Sequence, residues 1–106
     1  MHPVPKVKYK RTKPTLKQRG KFSEEAIRKI KERSNGACGW CGHNKPTDIH
    51  HIRYKSQGGR GVHTNGMYIC RACHELAHSN NGVRRKMELW AEYKYGKDYY
   101  KDEWDV

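Results

Sequence analysis

Two Cys-x-x-Cys pairs, Cys38/Cys41 and Cys70/Cys73, constrain this chain more than any other feature of its sequence. Tetrahedral zinc takes four thiolates delivered from two tight turns, and the glycines of Cys38-Gly-Trp-Cys41-Gly42 let the first turn close. A chain of 106 residues, 34% hydrophobic and 32% charged, struggles to offset the entropy of ordering its backbone with an apolar core alone. A metal staple supplies what the core lacks. The N-terminus, Met-His-Pro followed by lysines, carries no signal-peptide pattern, and no apolar run reaches the length of a membrane span. The expected compartment is therefore cytoplasmic and reducing, where paired Cys-x-x-Cys knuckles hold metal rather than disulfides. Four cysteines complete the coordination without His43 and leave no open position, so this site is expected to be structural. Neither knuckle sits in a βαβ pattern, which disfavours redox chemistry.

The net charge of +12 and pI near 9.7 point to a polyanionic partner, with nucleic acid first, because lysine and arginine release counterions when they neutralise phosphates. Residues 1–21 contain eight basic side chains among Lys6, Lys8, Lys10, Arg11, Lys13, Lys17, Arg19 and Lys21, three prolines and no acid. They are expected to form a flexible basic arm that tracks phosphates, the alternative being a plain solvated tail.

Residues 22–95 form the expected domain, with its core at 38–78. Ser23 as N-cap and Glu24-Glu25 at the positive end of the dipole open a helix that Asn35-Gly36 closes. Its isoleucines, Ile27 and Ile30, are expected to pack on the metal module. Asp48–Ile52 alternates as a strand, placing His50 and His51 on opposite faces. Residues 53–64 form a long loop about Gly58-Gly59 and Gly61, and residues 67–69 return as the second strand. A helix follows from Cys70 to His78, then another from Val83 to Tyr95 with Val83, Met87, Trp90 and Ala91 on its buried face. Residues 96–106 make an acidic and aromatic tail. Three fates are open to it: packing onto the domain, binding a partner, or folding back against the basic arm.

His74 and His78 lie one helical turn apart, so both imidazoles can reach one ion. With His50 from the strand they supply three nitrogens and leave positions open for water and phosphate, as a catalytic metal site requires. His51, pointing away from that ligand, is left as the free base. His63 has no partner at ligand-like spacing.

Together, His50-His51-Ile52, Gly58-Gly59, Asn65 and Cys73-His74-x-x-x-His78, bracketed by the two knuckles, resemble the HNH endonuclease family. The resemblance covers Cys38 to His78. It implies an α+β fold: a small ββα-metal domain with a structural zinc site, here with flanking helices and a basic N-terminal arm. It also implies His51 as general base, Asn65 as the middle residue of the triad, and His50, His74 and His78 as ligands of one divalent catalytic metal. The activity implied is hydrolysis of DNA phosphodiester bonds, leaving 5′-phosphates. Two departures stand out. An acidic residue common before the base is here His50, which moves the donor set from oxygen towards nitrogen and leaves zinc, manganese, nickel, cobalt and magnesium all open. Asn65 is followed by Gly66 where a leucine is usual. Small free-standing members with a basic arm resemble phage-encoded HNH proteins associated with DNA packaging, which would work in the host cytoplasm with packaging proteins as partners.

In this reading Arg53, Lys55 and Arg60 hold phosphates flanking the cut, with low sequence specificity. The rival is a zinc-dependent nucleic-acid-binding module whose histidines hold a second structural zinc. Against it stand the extra histidine, His51, and the open coordination of a three-histidine set.

Overall fold

An antiparallel hairpin organises the chain. Its strands are β1 (Asp48–His51) and β2 (Gly66–Ile69), with Asp48 opposite Ile69 and His51 opposite Gly66. The computed structural model that shows this describes residues 12–105. The pairing extends one step further, where the Ile52 amide donates to the Asn65 carbonyl at 2.9 Å. Between the strands, residues 52–65 run through two short 3₁₀ turns, Lys55–Gln57 and His63–Asn65.

Helix α3 (Arg71–Ser79) starts at Cys70, whose sulfur caps it by accepting from the Cys73 amide. One of the four cysteines therefore also starts the helix that carries His74 and His78. Asn80 ends α3 and opens α4 (Asn81–Tyr95), its Oδ1 accepting from the Gly82 and Val83 amides. That cap starts α4 two residues before Val83, where the periodicity alone would begin it. Helix α2 (Glu24–Ser34) has the expected Ser23 cap and ends at Asn35 in the left-handed region, φ 54°. Ile30, fully buried, packs against Gly66 of β2, where any side chain would collide with it. Gly66 is thus the residue that lets α2 approach the hairpin.

The core joins Ile52, Met67, Ile69, Ala77, Met87, Ala91 and Tyr99 with Cys38, Cys70 and Cys73. Three of the four cysteines are thus core residues, so the cysteine cluster and the apolar core are one unit. The α4 stripe packs as expected, with Glu88 buried beside it and paired to Arg85 at 3.2 Å.

At the two ends of the chain, the described part of the arm is structured, and the tail both packs onto the domain and meets the arm. Residues 1–11 of the arm and Val106 lie outside the described residues. Residues 12–21, however, contain a helical turn, α1 (Leu16–Arg19), closed by a capping box between Thr15 and Gln18. Arg19 is buried and meets Asp102 and Asp105, each at 2.8 Å. The tail folds back onto this segment, anchored by Tyr99 in the core. An unbroken run of basic residues gives no sign of docking when its carboxylate partners lie more than eighty positions away.

Candidate active site

The four cysteines converge at the open end of the hairpin. Their sulfurs lie within 4.8 Å of one another, and all four are free thiols. Burial opposes ionisation of Cys38, but the amides of Cys70, Cys41 and Trp40 point at its sulfur and hold the thiol down at about 6. The Cys70 thiol is also lowered, by the Cys73 amide and then the Asn44 side chain. Cys73 is pushed the other way by burial and by the neighbouring sulfurs. Crowding that favours thiolate at two positions and opposes it at a third is what a dication relieves, so the cluster fits a closed thiolate metal site.

The second cluster lies on the α3 face of β1. One ring nitrogen each from His50, His74 and His78 falls within 4.8 Å of the others. Nε2 of His50 is buried without a hydrogen-bond partner, and Nε2 of His74 and of His78 face each other at 3.2 Å. Such an orphaned nitrogen beside two converging ones fits a cation-binding site. Burial, then the neighbouring His74 and His78, holds His50 down at about 3, so its imidazole is neutral and able to ligate. Asp48 accepts from His74 Nδ1 at 2.9 Å, which commits the proton to Nδ1 and leaves Nε2 for an ion. His74 and then Arg71 hold the Asp48 carboxyl down at about 2. Tyr54 stacks on His78 with ring centroids 5.1 Å apart, and its hydroxyl donates to the Ala77 carbonyl.

His51 points to the opposite face of the strand, as the alternation of β1 requires, and stacks on Phe22 at 4.2 Å. Its Nε2 meets the Gly20 carbonyl at 2.6 Å. A carbonyl can only accept, so the proton sits on Nε2 and the lone pair on Nδ1. Burial lowers the His51 pKa, opposed by the Gly20 carbonyl. His51, the three clustered histidines, Tyr54, Lys55 and Ser56 line one cavity of about 480 Å³.

Asn65 is fully buried and closes the loop like a brace. Its Oδ1 accepts from the Arg53 amide at 2.8 Å, and its Nδ2 donates to the Arg53 and Arg60 carbonyls. It fixes the backbone just after His51 but makes no hydrogen bond with that imidazole; Gly20 does. Among the expected phosphate contacts, Lys55 is exposed on the cavity, and Arg53 lies over the Tyr100 ring at 4.8 Å. Arg60 differs from the expectation. Both Nε and Nη2 are engaged by Asp105 at 3.0 Å, so its guanidinium is committed within the fold.

Asp48, Tyr54, Gly20 and Phe22 were not singled out by sequence. Asp48 had a usable signal: it stands two residues before His50 on the same face of the strand. Gly20 had none. Among the described residues no helix is long and apolar enough to cross a membrane. Residues 36–80 match the protein family described as HNH endonuclease. No curated protein matches the chain.

Proposed function

From the match of residues 36–80 to the HNH endonuclease family we propose that the chain is a metal-dependent endonuclease hydrolysing DNA phosphodiester bonds, with His51 as general base. The observation that supports it best is the shared cavity, where a neutral imidazole with its lone pair on Nδ1 stands beside a three-histidine cluster.

His51 Nδ1 accepts a proton from water as that water attacks phosphorus, while Nε2 donates to Gly20 and steadies the imidazolium that forms. His50, His74 and His78 would hold one divalent metal, whose charge when bound offsets negative charge on the phosphoryl and leaving oxygens. Asp48 orients His74, and Asn65 keeps the backbone after His51 in place. The four cysteines hold zinc in a structural role. Lys55 and Arg53 contact phosphates near the cut. The net charge of +12 supports binding through the DNA backbone with little sequence preference. The setting, phage DNA packaging or processing in the host cytoplasm, rests on the likeness of the cysteine-bracketed motif to small phage-encoded members.

The test is nicking of supercoiled plasmid by the purified protein across a titration of divalent metals, with and without EDTA. His51→Ala is expected to lose at least roughly 10²-fold in rate while keeping DNA affinity and zinc content. Undiminished cutting by that variant in saturating metal refutes the base assignment. If no metal supports nicking and DNA binding persists, the protein is a nucleic-acid-binding module instead.

A further inference from the structure

The residue that orients the proposed base lies outside the segment that matches the family, and the C-terminal tail holds it there. The Gly20 carbonyl accepts from His51 across 31 positions of sequence. Gly20 follows directly on α1, in a strap of residues 19–22 lying on the loop before Asn65. The Gly61 amide donates to the Arg19 carbonyl at 2.7 Å, and a side chain at position 61 would collide with the Lys21 carbonyl. Phe22, two residues on, stacks against His51. The strap therefore touches the imidazole both at its edge nitrogen and on its face.

Arg19 fixes the strap. Its Nε and Nη2 donate to the two oxygens of Asp102 at 2.9 and 2.8 Å, and Nη2 also donates to Asp105 at 2.8 Å, with only 4% of the side chain exposed. The carboxylates are themselves held: Asp102 Oδ1 accepts from the Trp104 amide, Asp105 Oδ2 from the Asp102 amide, and Asp105 from Arg60. A planar guanidinium gripped in this bidentate way fixes direction as well as distance, which a lysine could not do. The residue so fixed is the immediate neighbour of Gly20.

We propose that Arg19, Asp102 and Asp105 are positioning residues, a clasp that sets the Gly20 carbonyl against Nε2 of His51 and so selects the tautomer whose Nδ1 takes the proton from water. The inference rests on the reading of His51 as general base. In the other tautomer, Nδ1 carries hydrogen and cannot accept a proton from an attacking water. The motif at 36–80 is then incomplete as a catalyst without both ends of the chain.

The test uses the full-length protein in saturating metal, with Arg19→Gln and, as a variant that removes no charged group, Gly61→Ala, whose side chain would collide with the Lys21 carbonyl and displace the strap. Both are expected to lower kcat for nicking by about ten- to a hundredfold with KM nearly unchanged, the scale of a misplaced catalytic group. Both should also convert the His51 ¹⁵N imidazole signals from a single Nε2–H form to a mixture, with Arg19→Lys restoring part of each effect. The spectra need no turnover and so report on the clasp separately from the activity. Wild-type signals and kcat in both variants overturn the clasp and leave the base assignment standing. A fall in kcat with unchanged tautomer also overturns it, since a merely stabilising contact would do that. Full activity in His51→Ala overturns the base assignment first, and the proposal with it.

Discussion

The cysteine cluster joins the turn before β1 to the start of α3, and the histidine cluster joins β1 to α3, yet the two are held in opposite ways. The sulfurs of Cys38, Cys41 and Cys70 accept from backbone amides two or three residues on, and Cys38, Cys70 and Cys73 form part of the apolar core. The histidines are fixed by side chains, Asp48 on His74 and Tyr54 on His78, and border an open cavity. Three of the sulfurs sit in the core, whereas the histidines grade from buried His50 to exposed His78 along the cavity wall. A closed site made from local turns suits stability; an open site made from converging elements suits chemistry.

The sharpest way to break this contrast is Cys73→Ser. Structural zinc contributes on the order of 10 kcal/mol in small domains, which exceeds the stability such a fold can spare. The variant is expected to lose zinc and its cooperative melting transition by circular dichroism. An unaltered melt would mean that the cysteine cluster does not hold the fold.

Asp48→Ala is the matching probe of the histidine cluster. Loss of the His74 partner is expected to weaken divalent metal binding by roughly 10–100-fold, read as a shift in the metal concentration giving half-maximal nicking. The melting transition should move little. If stability falls as far as in Cys73→Ser, the division of labour fails.

Acidification separates the clusters less severely. The His51 pKa is lowered by burial, so the neutral, active form persists as pH falls through the usual imidazole value of 6.5. Nicking should decline only once pH passes below the depressed value, on the acid side of 6.5. A rate that halves at or above 6.5 contradicts this placement of His51. The smallest effect belongs to Tyr54→Phe, which removes the hydrogen bond to the Ala77 carbonyl and keeps the stacked ring. It should cost about 1 kcal/mol in denaturant unfolding and change kcat only a few-fold.

Much of the site is legible before any coordinates because its determinants are local. The spacing of Cys38/Cys41 and Cys70/Cys73, the alternation that sends His50 and His51 to opposite faces, and the helical turn between His74 and His78 all depend on bonds within a few residues. The hairpin ends, the Ser23 cap and the buried face of α4 follow from the same short-range rules. Arg60 shows where such rules stop, for a basic residue in a glycine-rich loop looks available to phosphate until Asp105 is placed beside it. Asn65 shows where they reach further. An asparagine that bonds the loop backbone is readable from sequence, and its bonds go to the backbone of Arg53 and Arg60.

By itself, then, the sequence determined which side chains can meet a metal and which imidazole is left over, since periodicity and thiolate spacing are properties of neighbouring residues. Only the tertiary structure decided what holds that imidazole. Gly20, Arg19, Asp102 and Asp105 converge from the two ends of the chain, and no local pattern encodes their meeting. Their pairing arises because burying the Arg19 guanidinium demands carboxylate partners, and the packing of Tyr99 in the core brings the acidic tail within reach.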